Sequence, residues 1–276
     1  MDRSVKTALA AIATVAACHT ARAQQTTTPQ QLPETENIQP ANDFGMWASV
    51  EGEKELGKRW SIGMEIEART RNHVRSMERI SGGISADFKI TKWLKASAGY
   101  TFIGEHAVGK LWYGDNVYDM DGNLSYRIKR KYRPEYWRIK HRTQVTLTAS
   151  HKVGRFKLSL RERWQYTYRP EMYADRWVYA SEKYEKDLVK GEGKSVLRSR
   201  FEAEYDIRNC PLEPYANVEL TNNWSVSKVR CMGGLTWKID KKNSLGAYYL
   251  YQTVPGDDGS GETNMNVIGV KYKVKF

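Results

Sequence analysis

No apolar run in this chain approaches the roughly twenty residues that a membrane-crossing helix needs. Residues 7–18 give twelve, and no long run follows. None of the periodic runs in the main body carries an apolar stripe at i, i+3 and i+4, which makes amphipathic helix a poor reading. Histidine is scarce at five, and His73, His106 and His151 are scattered, so no metal site or cofactor is expected. Asp119-Met120-Asp121-Gly122-Asn123 is a poor calcium loop, because the twelfth position is Arg130 where a bidentate Glu is needed. Asp257-Asp258-Gly259 reads as an acidic turn. Of three cysteines, Cys18 falls in the leader region. Cys210 and Cys231 are expected at opposite ends of the fold, too far apart to bridge.

The start of the chain reads as an export signal over residues 1–23. Arg3 and Lys6 precede the short apolar run, and Ala21-Arg22-Ala23 is a small-x-small cleavage site. Val15-Ala16-Ala17-Cys18 offers lipidation of Cys18 as the alternative. Residues 24–42, rich in Gln, Thr and Pro, read as a flexible leader. Processing lowers the basic and acidic counts from 44 and 32 to 41 and 31, leaving a mature chain near +10. An exported chain rarely meets nucleic acid, so phosphate-bearing lipid or an anionic solute is the expected acidic partner.

From residue 43 to 276 the hydrophobic period is two. Ile62, Met64, Ile66 and Ala68 alternate with Gly63, Glu65, Glu67 and Arg69; Phe201, Ala203, Tyr205 and Ile207 alternate with Arg200, Glu202, Glu204 and Asp206. Eleven such runs occur, mostly ten to fourteen residues long, counting residues 42–53 as the first. Short connectors (55–59, 91–92, 151–154, 209–213, 240–243) alternate with longer polar stretches (106–133, 169–194, 255–262). Long strands with that alternation predict one antiparallel transmembrane β-barrel with short periplasmic turns and longer external loops. Bacterial single-chain barrels have even strand numbers, so twelve strands is the expectation and ten the next choice. Ile268, Val270, Tyr272, Val274 and Phe276 alternate with Lys271, Lys273 and Lys275. This looks like the C-terminal signal read by barrel-assembly machinery, and the expected location is the outer membrane. Trp60, Trp93, Trp224 and Trp237 fall near strand ends, as interfacial belts require.

Three stretches carry a family resemblance: Thr91-Lys92-Trp93-Leu94-Lys95-Ala96-Ser97-Ala98-Gly99-Tyr100, Leu160-Arg161-Glu162-Arg163-Trp164-Gln165-Tyr166-Thr167-Tyr168-Arg169-Pro170, and Tyr215-Ala216-Asn217-Val218-Glu219-Leu220. With them, residues 43–276 resemble a family of Bacteroidetes outer-membrane barrels classed as a domain of unknown function. The resemblance implies a barrel in the outer membrane and no catalytic residue, ligand or activity.

The inward rows are rich in charge. Arg138, Lys140, Arg142, Arg161, Arg163, Arg198, Arg200, Glu202 and Glu204 are the candidate lumen and solute contacts, and a charged lumen sets ion preference. The leading expectation is a passive or weakly anion-selective channel. Its alternative is a non-conducting barrel, filled by compensating ion pairs and serving in structure or surface contact. A lipid-modifying enzyme comes third: His141 and Thr143 share an outward face, but Thr stands where a Ser nucleophile is needed, and no enzyme is expected. Arg127, Lys129, Arg130, Lys131 and Arg133, with Tyr126 and Tyr132 among them, form a basic loop run suited to lipopolysaccharide phosphates or simply to solvent. Trp112-Tyr113 and Trp177–Tyr179 are weak candidates for sugar stacking. Glu162 stands out, because strict alternation points it toward lipid unless a bulge or a rim position intervenes.

Overall fold

Alternation of apolar and polar residues over long runs leaves each strand with one face for hydrocarbon and one for a polar interior. A computed structural model, describing residues 42–118, 120, 124–254 and 264–276, builds the chain in that way. Residues 1–23, expected as an export signal, residues 24–41 of the expected leader, Asp119, Asp121-Gly122-Asn123 and Asp257-Asp258-Gly259 lie outside the described residues, and Asn42, expected as the leader's last residue, is the first of a strand.

Fifteen strands follow in order: β1 (Asn42–Glu55), β2 (Trp60–Arg71), β3 (Ser76–Lys89), β4 (Leu94–Ala107), β5 (Lys110–Tyr118), β6 (Leu124–Arg133), β7 (Tyr136–Val153), β8 (Phe156–Arg169), β9 (Met172–Val178), β10 (Lys183–Val189), β11 (Glu192–Tyr205), β12 (Leu212–Asn223), β13 (Ser225–Lys238), β14 (Asn243–Thr253) and β15 (Asn264–Lys275). Eleven close into a barrel in the order β1-β15-β14-β13-β12-β11-β8-β7-β4-β3-β2. The expectation of twelve is therefore corrected. Successive neighbours are antiparallel, but β1 meets β15 in parallel from Asn42↔Asn264 to Glu53↔Lys275, and no gap remains for a twelfth strand. An odd antiparallel count forces one parallel seam, and it places Asn42 and Phe276 at opposite rims.

The long polar stretches are not simple loops. β5, β6, β9 and β10 form a four-stranded sheet in the order β10-β9-β6-β5, which repeats the order β11-β8-β7-β4 of the barrel strands they extend. Each break between wall and extension is two residues long: Val108-Gly109, Pro134-Glu135, Pro170-Glu171 and Lys190-Gly191. Two breaks carry the same tetrapeptide, Tyr132-Arg133-Pro134-Glu135 and Tyr168-Arg169-Pro170-Glu171. Proline cannot donate to a ladder, so the sheet is interrupted there. The extension forms a hood at the long-connection rim.

Apolar side chains cover the outside of the barrel: Met64, Ile84, Leu160, Phe201 and Ile268 all lie exposed on its outer wall. Inside, Trp47, Leu250, Met265 and Val267 are packed together with Met232 and Tyr248 against them, filling the lumen beside β1 and β13–β15. At the short-turn rim, Trp60 packs on Phe88 (4.7 Å between centroids) and Phe156 on Tyr205 (4.8 Å), with Trp93 and Trp237 exposed nearby. Trp224, fully exposed and left-handed (φ 64°), makes the one-residue reversal from β12 to β13 at the other rim. Cys210 lies in the β11–β12 turn and Cys231 faces out from β13; both are free thiols.

Candidate functional site in the barrel interior

Antiparallel register sets the inner wall residue by residue. Along β4, β7, β8, β11 and β12 the opposed inward pairs include Glu105↔Arg138, Thr101↔Arg142, Gln144↔Gln165, Arg163↔Arg198 and Arg200↔Glu219. Two buried glutamates anchor the wall. Glu105 is contacted by Arg79 (3.2 Å), Arg138 (2.7 Å) and Lys140. Glu219, 4% exposed, is contacted by Arg161 (2.6 Å), Arg198 and Arg230 (3.7 Å). Each carboxylate thus holds three cations. Such pairing is what allows charge to persist away from water, and removing one partner leaves the others uncompensated.

The candidate residues separate into groups. Arg138 and Lys140 belong to Glu105; Arg161 and Arg198 belong to Glu219. Arg200 leans on Glu202 at 3.6 Å, and Glu202 also accepts from Asn217. Glu204 sits nearer the short-turn rim, joined to Lys157 at 3.1 Å, and is not part of the central group. Among the described residues, the hydrogen bonds of Arg142 and Arg163 go to hydroxyls: Arg142 Nε donates to Thr167 Oγ1 (3.2 Å) and Arg163 Nε to Thr146 Oγ1 (3.1 Å). Across the lumen, Glu67 pairs with Arg69 (2.7 Å), whose guanidinium lies 3.7 Å over the Trp47 ring. Glu105, Glu219, Arg79 and Arg230 are the members that sequence reading missed. Glu105 abuts the 106–133 stretch read as a loop, yet its parity with Thr101 and Ile103 marks it as inward.

The basic run meant for lipopolysaccharide is a strand, β6, and strand alternation divides it between two faces. Arg133 is ion-paired with Asp187 of β10, which Arg176 of β9 also contacts at 2.8 Å, so it ties β6 to β10 across the four-stranded sheet. An added Cβ at Gly114 would meet the Arg130 side chain, which therefore lies across β5. The Arg127 side chain is outside the described residues. Trp112 lies beneath Arg133 (5.0 Å), and Trp177 packs against Tyr184 (4.9 Å).

On the outer wall, Glu162 does point outward. The β7–β8 and β8–β11 registers run through it without a shift, so no bulge rescues it; Ser199 Oγ donates to its Oε2 at 2.7 Å. His141 is bonded to the Tyr100 hydroxyl at 2.7 Å and meets Phe102 edge-on, as an interfacial aromatic group would. Ile268 and Val270 of the C-terminal strand are exposed, whereas Tyr272 and Val274 are covered. Tyr272 donates to Asn243 Oδ1 (2.6 Å), and the Phe276 amide donates to the Glu53 carbonyl (2.9 Å).

Among known proteins, a family profile described as "Protein of unknown function (DUF2490)" matches residues 44–263. No curated protein matches. Among solved structures, the β domain of the Bordetella autotransporter BrkA aligns over 79% of this chain and 81% of its own, at 13% identity and a TM-score of 0.46. The CymD monoaromatic hydrocarbon channel aligns over 73% and 66%, at 8% identity and a TM-score of 0.38.

Proposed function

The chain belongs to the DUF2490 family, whose description assigns no function, and we propose that this member is an outer-membrane barrel giving small anions a narrow, weakly selective passage. The observation that carries the reading is the composition of one inner wall. Arg138, Lys140, Arg142, Arg161, Arg163, Arg198 and Arg200 stand there against Glu105, Glu202 and Glu219. A low-dielectric shell around such an excess raises the local concentration of anions and repels cations. The outward apolar band and the two aromatic rims support a place in a bilayer. Within the same proposal, Ile268, Val270, Tyr272, Val274 and Phe276 present the strand to the assembly machinery, and Lys129 and Lys131 meet lipopolysaccharide phosphates.

A second reading has its own observation. Thr70, Gln165 and Glu219 are at most 4% exposed although they sit in the barrel wall, so side chains occupy much of the interior. On that reading the barrel does not conduct, and its working part is the hood. Single-channel recording of refolded protein across a potassium chloride gradient separates the two. Discrete steps with an anion-directed reversal potential, shifted toward cations in Arg142→Glu with Arg163→Glu, support the passage. A folded, heat-modifiable barrel that stays silent overturns it in favour of the filled barrel.

A further inference from the structure

The five short turns share a pattern that closing the barrel does not require. Leu56-Gly57-Lys58, Ile90-Thr91-Lys92, Val153-Gly154-Arg155 and Ile239-Asp240-Lys241 each place a large apolar residue two positions before a cation, and Ile207-Arg208 sets the two side by side. Arg59 and Lys242 add a second cation to the first and last of these turns. The apolar members are not folded inward: Leu56, Ile90, Val153, Ile207 and Ile239 are 36–56% exposed.

The carboxylates of the same rim are already engaged. Lysines at the strand ends hold three of them on one side: Lys89 on Glu55 (3.3 Å), Lys95 on Asp87 (3.5 Å) and Lys273 on Glu53 (2.7 Å). On the other side Lys157 holds Glu204 (3.1 Å), Lys152 holds Asp206 (3.2 Å) and Lys238 holds Glu213. Asp240 caps its own turn, accepting from the Lys242 and Asn243 amides at 2.7 Å. Seven turn cations are left, all exposed, and among the described residues none has a carboxylate within ion-pairing distance. They project from one end of the barrel, so their fields add to a positive ring.

Position decides the partner. The turns lie just beyond the aromatic rim of Trp60, Phe88, Phe156 and Trp237, the kind of belt that marks a bilayer interface. There an aliphatic side chain enters the edge of the hydrocarbon while a cation two residues on stays level with the phosphates. A soluble polyanion would engage the cations and leave five aliphatic side chains in water.

We propose that the short-turn rim is a docking ring for anionic phospholipid, in which each turn holds a phosphodiester headgroup by its cations and the acyl chain beneath by its aliphatic residue. The ring lies at the opposite rim from Lys129 and Lys131 of the hood. The proposal rests on the membrane placement of the barrel and is independent of conduction.

The test uses the full chain refolded into phosphatidylcholine vesicles containing phosphatidylglycerol. The reading is the association of spin-labelled phosphatidylglycerol with the protein boundary, relative to spin-labelled phosphatidylcholine. A cation at an anionic lipid surface is worth roughly five-fold at the lipid beside it, so the boundary as a whole should favour phosphatidylglycerol by about two-fold or more. Sodium chloride at about 1 M, where the screening length is about 3 Å, should abolish the preference. Replacing all seven turn cations by Gln should also abolish it, whereas Lys129→Gln with Lys131→Gln should keep most of it. Should the sevenfold variant fail to fold, Lys58→Gln with Arg59→Gln and Lys241→Gln with Lys242→Gln, each confined to one exposed turn, should each lower it. Leu56→Ser, Ile90→Ser and Ile239→Ser together should weaken it as well, because headgroup and chain are held jointly. Equal association of the two lipids with wild type, or a preference that follows the hood lysines, would overturn the ring. Full preference in the triple Ser variant would show that the turns read charge alone, as for a soluble polyanion, and would overturn the lipid assignment. A chain that fails to insert into phosphatidylcholine vesicles removes the membrane placement itself; one that inserts and conducts without lipid preference removes only the ring.

Discussion

Glu219→Gln tests whether the interior behaves as a low-dielectric core or as wetted space. The substitution keeps shape and removes charge. Glu219 Oε1 accepts from Arg198 Nε at 3.0 Å and Oε2 accepts from Arg161 Nη2 at 2.6 Å, with Arg230 3.7 Å away. A neutral amide would turn its own N–H donors toward those three guanidinium groups. Breaking a buried ion cluster by removing one partner costs about 3–5 kcal/mol. With a urea slope near 2 kcal/mol per molar, the midpoint should fall by roughly 2 M. The assay is equilibrium unfolding of the barrel refolded into lipid vesicles, read by tryptophan fluorescence and by heat-modifiable migration. Adding Arg161→Gln should recover part of the loss, with a coupling of about 1–3 kcal/mol in the double-mutant cycle. A Glu219→Gln barrel within 1 kcal/mol of wild type would mean that water screens the cluster, and the reading of the interior as a low-dielectric core would fail with it.

Two further substitutions probe other parts of the molecule. Asp43, 3% exposed, accepts from the backbone amides of Phe44 (2.7 Å), Asn72 (2.8 Å) and His73 (3.0 Å), holding a turn in which Asn72, His73 and Val74 are all left-handed. Asp43→Ala should therefore cost about 3 kcal/mol and open residues 72–75 to fast amide exchange; unchanged protection there would show that the turn holds itself. Glu162→Leu should stabilise the barrel in vesicles by about 1–2 kcal/mol, since a carboxylate on the lipid-facing wall is unfavourable. A loss of stability instead would show that the Ser199–Glu162 pair has a partner on the outer wall.

The barrel was legible because its physics is periodic. An inside and an outside of opposite polarity force alternation in every strand, so Trp60–Arg71 and Asn264–Lys275 declare themselves without any knowledge of neighbours. Eleven runs were readable for the same reason, and the step to twelve came from a parity rule that the parallel β1–β15 seam does not obey. The hood was not legible. Its strands β9 and β10 are seven residues each, and the β5–β6 ladder shifts register three times, so polar residues and loop-like composition conceal them. The charged rows were visible but their pairing was not. Arg79 and Glu105 are 26 positions apart and Arg161 and Glu219 are 58 apart, distances over which only strand order decides who meets whom. Hence the sequence pointed to Arg142 and Arg138 alike, and only the fold distinguishes Arg138, which Glu105 holds, from Arg142, which donates to the Thr167 hydroxyl.

The parallel seam ties the C-terminal strand to closure. Parallel pairing is slightly weaker per residue than antiparallel pairing. Here it is reinforced from the lumen by Lys271 on Glu51 (2.5 Å) and Lys273 on Glu53 (2.7 Å). Outside, Ile268 and Val270 stand opposite Met46 and Ala48, so the alternation that marks the final strand also completes the apolar band across the join. At Gly269 a Cβ would fall 2.0 Å from the Tyr248 ring, which fixes the register by leaving room for that ring only where glycine stands. The lysines between the apolar residues of the last strand are therefore not spacers. They are the inner half of a closure whose outer half is the hydrophobic row, and each face requires the other to be in register.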